Sequence, residues 1–416
     1  MPALAALLLL VSAAPGAAPL EPARFRAGVE LSVLGLPAVG GMYVSALPVA
    51  SYDGGEPFGV ELGAALRFSG SGLRPEDWDS LSDFGQLLRE LRAGAEGGPV
   101  FLRAGTLSPL TLGTGRLVRR YDGTLNPDYH PAGAHLSGRV GPVRGELLAS
   151  DVLGARLFAG EVRWDAGQAA GLGEDRLSLA LSAAHDAGLA GVRAPSATLA
   201  VLEGMGVLLR GPGASFGALG SAGMRLGVPG WGAALGLLLD AAPGGHGVSV
   251  QLEGRYQAEG FRHGFFGPDY ELRRFSGVGL SEAPLAGERL APGLSVAATA
   301  QWQLPRTAAG EPPASLVLSA ERFAHGRWDA DGALSWLLSG GAQAVAVRGG
   351  VTGLGVPGVA RPWVLAEGRV RVSPAVYLVA SGGTVFFPEP AGGAEGSTRL
   401  RPGVQASLGV GLDLAR

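Results

Sequence analysis

Val248-Ser-Val-Gln-Leu-Glu-Gly-Arg-Tyr-Gln-Ala-Glu259 is the stretch that decides the fold. Val248, Val250, Leu252, Gly254, Tyr256 and Ala258 share one parity. Ser249, Gln251, Glu253, Arg255, Gln257 and Glu259 share the other. Side chains of a strand point alternately to its two faces, so this segment is a ribbon with one apolar and one charged row. In a soluble sheet the apolar row would face a packed core. Here that row is thin, made of Val, Leu, Gly and Ala, which suits lipid better than a jigsaw core. The expected arrangement is therefore inverted, with the charged row on the inside.

The same pattern recurs along the chain. Phe158, Gly160, Val162 and Trp164 alternate with Ala159, Glu161, Arg163 and Asp165. Leu294 to Leu304, Val364 to Val372 and Val404 to Leu414 repeat it. The best runs reach about 10–13 residues, close to the ~9–11 of a tilted membrane strand and longer than the ~5–6 of a typical soluble one. Short turn signals such as Gly141-Pro142, Gly340-Gly341 and Ser373-Pro374 separate some runs. Longer connections, at 69–97, 107–131, 260–269, 305–313 and 388–399, separate others. Tight turns alternating with long loops describe an up-and-down meander with two unlike ends.

At about 22–24 residues per strand and connection, the chain holds about 16–18 strands. That is too many for an ordinary single sandwich and suits a closed antiparallel transmembrane β-barrel. Closure is required because an open sheet edge in hydrocarbon leaves backbone groups unpaired. One segment departs from the pattern. Trp78, Leu81, Phe84, Leu88 and Leu91 fall at helical spacing and predict one short helix over about 76–92. Trp164, Trp302 and Trp363 stand near run ends, where interfacial aromatic girdles are expected.

Composition narrows the function classes. The chain has no cysteine, 71 glycines and a formal net charge of −3. That charge gives no footprint for nucleic acid. No lysine occurs, so all 33 basic residues are arginine. Leu4 to Val11 followed by Ser12-Ala-Ala-Pro-Gly-Ala-Ala18 reads as a signal peptide over residues 1–18, with a barrel domain over 24–416. No run elsewhere approaches the ~20 apolar residues of a spanning helix.

The C-terminal segment Gly403-Val-Gln-Ala-Ser-Leu-Gly-Val-Gly-Leu-Asp-Leu414 resembles the last strand of bacterial outer-membrane β-barrels of the porin-like kind. It differs in ending Leu414-Ala-Arg416 where an aromatic residue would stand. Phe101-Leu-Arg-Ala-Gly-Thr-Leu107, Leu112-Gly-Thr-Gly-Arg-Leu-Val118, Tyr121 and Asn126 resemble uncharacterised exported barrel proteins of high-GC Gram-negative bacteria. The resemblance implies an outer-membrane location, contact with outer-membrane lipid and recognition by the barrel assembly machinery. It carries no activity to transfer.

Inward rows nominate the site. Arg144, Glu146, Glu161, Arg163, Glu253, Arg255, Glu367, Arg369 and Arg371 are candidate lumen-lining charges. They would either set the field of an aqueous path or form a cross-strand ladder that stiffens the wall. Arg116, Arg119, Arg120 and Asp122 lie in one long connection, a candidate constriction loop or a solvated surface loop. His130 and His135 are five apart in a segment broken by Pro and Gly, and six histidines are scattered singly, so no metal site or other cofactor is expected. No G-x-S-x-G or G-x-x-x-x-G-K-[ST] occurs, and His185 reads as a strand end, so no enzyme is expected. The expected function is passive passage of small hydrophilic solutes through a charge-lined lumen. The alternative is a non-conducting scaffold for structure, adhesion or assembly, acting through loops 107–131 and 260–269. Leu252→Arg is expected to hinder insertion, and Glu253→Gln to leave folding nearly intact.

Overall fold

The computed structural model describes residues 24–36, 41–55, 58–107, 109–124, 129–188, 196–271, 291–305, 313–338, 343–356, 360–390 and 398–415. The proposed signal peptide lies outside them.

The chain forms one antiparallel sheet of 22 strand segments. The first half comprises β1 (Arg24–Leu36), β2 (Gly41–Asp53), β3 (Phe58–Gly63), β4 (Leu66–Ser69), β5 (Gly72–Leu73), β6 (Leu88–Ala93), β7 (Val100–Gly105), β8 (Gly133–Val140), β9 (Val143–Ala149), β10 (Leu157–Asp165) and β11 (Leu177–Asp186). The second half comprises β12 (Ala197–Gly211), β13 (Ala214–Leu226), β14 (Trp231–Ala241), β15 (Gly247–Gln257), β16 (Gly293–Gln303), β17 (Ala314–Phe323), β18 (Trp328–Leu338), β19 (Gln343–Leu354), β20 (Arg361–Arg371), β21 (Val376–Pro390) and β22 (Thr398–Ala415). β22 pairs with β1 over Arg26↔Ala415 to Gly35↔Ala406, so the sheet closes on itself. No edge strand remains at this seam, as hydrocarbon requires.

β3 and β4 pair in succession with β2 and form one interrupted stave, and β5 is a two-residue arm on β4. The wall therefore has 20 staves, against the 16–18 expected from an assumed repeat. The repeat is shorter because one end of the barrel is stitched by tight turns, such as Gly141-Pro142 and Pro212-Gly213. The barrel has two unlike ends. Arg26 and Ala415 lie together at the end with these short connections, the turn end. The long connections 106–132 and 258–292 leave from the opposite, loop end.

The predicted helix over 76–92 is not formed. Pro75–Asp77 and Leu81–Leu87 are 3-10 turns, and Leu88 onward is strand β6. Ser80 caps the second turn through Asp83, whose Oδ2 accepts from the Ser80 amide at 2.9 Å and the Ser80 hydroxyl at 2.7 Å. Pairing of Leu88–Ala93 with β3 and β7 then claims the backbone that a continuing helix would need. An α-helical turn, Ala166–Ala169, stands at the turn end, capped by Asp165.

The inversion read from β15 holds. Leu252 is 50% exposed on the outer face, while Glu253 is 2% exposed on the inner face. Register carries this assignment around the wall. Leu252 faces Ala298, which faces Ala320, which faces Ala330, all on the outside. Phe25, Leu31, Val162, Leu235, Val296, Val364 and Leu408 are likewise exposed. The outer apolar row ends in aromatics at both rims. Trp231 and Tyr256 meet at 5.0 Å near the loop end, and Trp302 stacks on His246 near the turn end. Trp363 does not join a girdle. It is buried, on the parity opposite to exposed Val364, and faces the lumen.

Candidate functional site

The largest apolar cluster lies inside the barrel, where a polar lumen was expected. Leu107, Leu112, Leu117, Val118 and Tyr121 come from the connection after β7. Phe261, Phe265, Phe266 and Tyr270 come from the connection after β15. The two segments meet in a parallel bridge, Val118↔Phe266, closed by hydrogen bonds from the Arg119 amide to the Phe266 carbonyl and from the Phe266 amide to the Leu117 carbonyl. Together they pack on inward residues of the wall, including Leu148, Leu157, Leu199 and Val201. Wall glycines make room for them. A Cβ at Gly223 or Gly232 would lie 2.5 Å from the ring of Phe261.

Polar residues of the first segment reach the wall in sequence. Gly113 donates its amide to Glu146 and Thr114 donates its amide to Glu161, each at 3.0 Å. Gly113 has φ +52°, and a side chain there would run into the Glu161 carboxylate, so glycine is required. Arg116 is held between Glu203 and Glu253, with Nη1 donating to Glu253 at 2.6 Å. Arg119 donates to the hydroxyls of Thr299 and Ser319. Arg120 pairs with Asp331. Asp122 accepts from Arg348 at 2.6 Å. The four candidate constriction residues thus lie inside the barrel along one bar that runs from β9 to β19. The surface-loop alternative does not describe this bar.

The nine candidate lumen charges divide into two groups. Glu161, Glu253 and Arg255 are buried beneath the inserted segments. Arg255 bridges Glu253 at 2.6 Å and Glu321 at 2.7 Å. Glu146 is partly covered and accepts from His135 at 3.1 Å as well as from Gly113. Arg163 donates to Ser178, and Arg144 turns to Glu174 at the turn end. Glu367, Arg369 and Arg371 stay exposed, Arg369 at 52%. Around the same side, inward Glu61, Glu90, Arg92 and Arg103 remain accessible, Arg103 at 42%. The inserted segments therefore occupy the β9–β19 side, and solvent reaches the charges on the β20–β7 side.

The ladder of opposite charges expected across strands is not what this wall builds at β9 and β10. Glu146 faces Glu161 and Arg144 faces Arg163. Like charges in register repel. The carboxylates are relieved by the amides of the inserted bar. Glu174, in the turn after β10, receives Arg139 at 2.5 Å and Arg144 at 3.1 Å.

Sequence reasoning missed the second segment. Phe261, His263, Phe265 and Phe266 show no periodicity in sequence and read as a surface loop. His263 is buried against Phe261, at 5.2 Å edge to face. Burial, with Arg255 and Arg116 nearby, pushes its pKa down to about 3. The scaffold alternative had these loops as an outward contact surface, and their described parts are folded away inside the barrel. Loop-end cover comes also from the 3-10 turns. Arg67 and Arg74 reach Asp77 at 2.7 and 2.6 Å, and His130 lies 3.5 Å from the same oxygen.

His130 and His135 are engaged separately, with Asp77 and Glu146. His185 is the penultimate residue of β11. It faces outward in register with Thr198, Nδ1 to Oγ1 2.9 Å. Its other register partner is Phe158.

No protein-family model matches the chain, and no curated protein matches it. Solved structures similar to it include OccK11 (OpdR) of Pseudomonas aeruginosa, at 12% identity over 95% of this chain and 96% of that one, with a TM-score of 0.39. OprD of the same organism gives 11% identity, 97% of each chain and a TM-score of 0.36. A BenF-like porin from Pseudomonas fluorescens gives 11%, 95%, 100% and 0.37. At these scores the overlays carry no weight for this chain, and the barrel stands on its own strand pairing.

Proposed function

We propose that the protein is an outer-membrane β-barrel that passes small hydrophilic solutes without covalent chemistry. One observation carries this reading: apolar residues cover the outside, while inward Arg103, Glu367, Arg369 and Arg371 keep solvent contact beside the inserted segments. Water-accessible charges enclosed by an apolar-faced wall suit a conduit through lipid. The path would run on the β20–β7 side and be narrowed by the bar that carries Arg116, Arg119, Arg120 and Asp122. The turn end would face the periplasm and the loop end the exterior, following the usual disposition of short turns and long loops. Residues 1–18 would direct export, β22 would be the strand that the assembly machinery reads, and outer-membrane lipid would contact the apolar face.

The buried apolar cluster inside the lumen favours a second reading, a sealed barrel with a structural role. Planar-bilayer recording on detergent-purified protein separates them. Conductance steps from a barrel with heat-modifiable gel migration support the channel. A folded barrel that gives no steps leaves the sealed scaffold.

A further inference from the structure

The inserted bar has two unlike faces. Toward the turn end it roofs a cavity of about 120 Å³ lined by Arg116, Arg119, Arg120 and Arg255, with Thr299 and Gln251 beside them. No carboxylate is among the described residues lining that cavity. Toward the loop end, a smaller cavity of about 50 Å³ touches Arg119 and Arg255 again, but also Asp269, Glu321, Asp329 and Asp331. Of the acids that pair with Arg116, Arg120 and Arg255, Glu321 and Asp331 line this upper cavity, and Glu203 and Glu253 line neither.

Arg119 differs from its neighbours. Its hydrogen bonds go to the hydroxyls of Thr299 and Ser319, which carry no charge. Arg116, Arg120 and Arg255 each have at least one carboxylate partner. A cation held by neutral groups in a half-enclosed space attracts an anion strongly, because the local dielectric is low and three other cations face the same space. The side-chain amide of Gln251, which gives one hydrogen to Glu253, adds a neutral donor beside the same space. At about 30 Å³ per water, the space holds about four waters, or one small oxyanion.

We propose that this chamber is a binding site for a small oxyanion, a carboxylate or phosphate, with Arg119 as its principal contact. The proposal rests on the barrel reading above, and it places the chamber under the bar against β15, β16 and β17, beside the open β20–β7 side. A guest entering from the turn end meets the arginine face first. The acids of the upper cavity repel it, so the site holds the anion below the bar.

The test is equilibrium binding to the full-length barrel in detergent, by calorimetry, with acetate and inorganic phosphate as separate probes. Binding is thereby read without any conduction. The expected result is millimolar or tighter binding of at least one probe, and the probe that binds better tells carboxylate from phosphate. Arg119→Gln should lose at least tenfold in affinity, and Arg119→Lys should recover part of it. Arg210→Gln, at the exposed turn end, should bind as the unsubstituted protein does. If Arg119→Gln fails to fold, Thr299→Val reads the same site, with an expected loss of about threefold. Two results overturn the proposal: a folded barrel that binds neither probe, or a folded Arg119→Gln that binds equally well. Absence of bilayer conductance with binding intact would sink the channel reading alone.

Discussion

Arg116 Nη1 donates to Glu253 Oε1 at 2.6 Å, although the two residues stand 137 positions apart in sequence. Its Nε side meets Glu203 on β12, so one guanidinium ties the inserted bar to two staves of the wall. All three groups are buried.

Arg116→Ala should therefore be costly. It leaves Glu203 and Glu253 without this cation in a buried setting, a loss of about 3–5 kcal/mol for a broken buried pair. Denaturant unfolding in detergent measures it. The bar should also loosen, so amide exchange in 109–124 should speed up before the wall unfolds. A variant as stable as the unsubstituted protein would show that the latch has no weight.

Leu252 and Glu253 are adjacent and answer to different solvents. Leu252→Arg should cost about 2–4 kcal/mol of insertion stability near mid-membrane. The expectation that Glu253→Gln is nearly silent does not survive the structure, because Glu253 accepts from Arg116 and Arg255. Its neutralisation should destabilise the barrel by a similar few kcal/mol, about the 3–5 of a broken buried pair. In combination with Arg116→Ala the losses should be less than additive, since both break one network. Strict additivity would refute the coupling.

Phe261 sits on bare wall at Gly223 and Gly232. Gly232→Val should overpack this seat by about 1–3 kcal/mol and push the 258–271 segment inward. Hydrogen exchange should quicken in 258–271 while strand amides keep their protection. Equal protection of that segment with and without the substitution would mean that the seat is dispensable.

Asp77 gives the loop-end cover a pH dependence. Burial by itself would raise its pKa. The hydrogen bond with His130 and the charges of Arg67 and Arg74 outweigh that, and the carboxyl is held below its ordinary value. A depressed folded pKa contributes stability that is complete above the unfolded value of about 3.9 and disappears as pH falls through the folded one. The Asp77 contribution should therefore hold down to about pH 5 and fall away below about pH 4. Unfolding midpoints measured across that window should drop, and Asp77→Asn should shrink the drop. An unchanged pH dependence in Asp77→Asn would remove Asp77 from the account.

The wall was legible because a strand writes its two environments into alternate residues. Val248 to Glu259 needed no partner to show which row is charged, and Glu161, Leu294 and Leu408 repeat the signal on their own strands. Leu408 is exposed on the outer face, as its parity requires. The site was legible only in part. Arg116, Arg119, Arg120 and Asp122 stand out as a charged group in one connection, yet their direction depends on Glu203, Glu253, Asp331 and Arg348, which are distant in sequence. The stretch 75–87 misled because Trp78, Leu81 and Phe84 fit a helical period that the pairing of β6 interrupts.

The sequence by itself determined an antiparallel barrel wall with an apolar outside and a charged inside, because period-two patterning is a property of each strand alone. Tertiary structure decided how the lumen is filled. Phe261 finds Gly232, Arg116 finds Glu253, and like charges such as Glu146 and Glu161 become neighbours, only after closure sets the register of distant staves. No local pattern encodes those meetings. They follow from where the ring brings the chain.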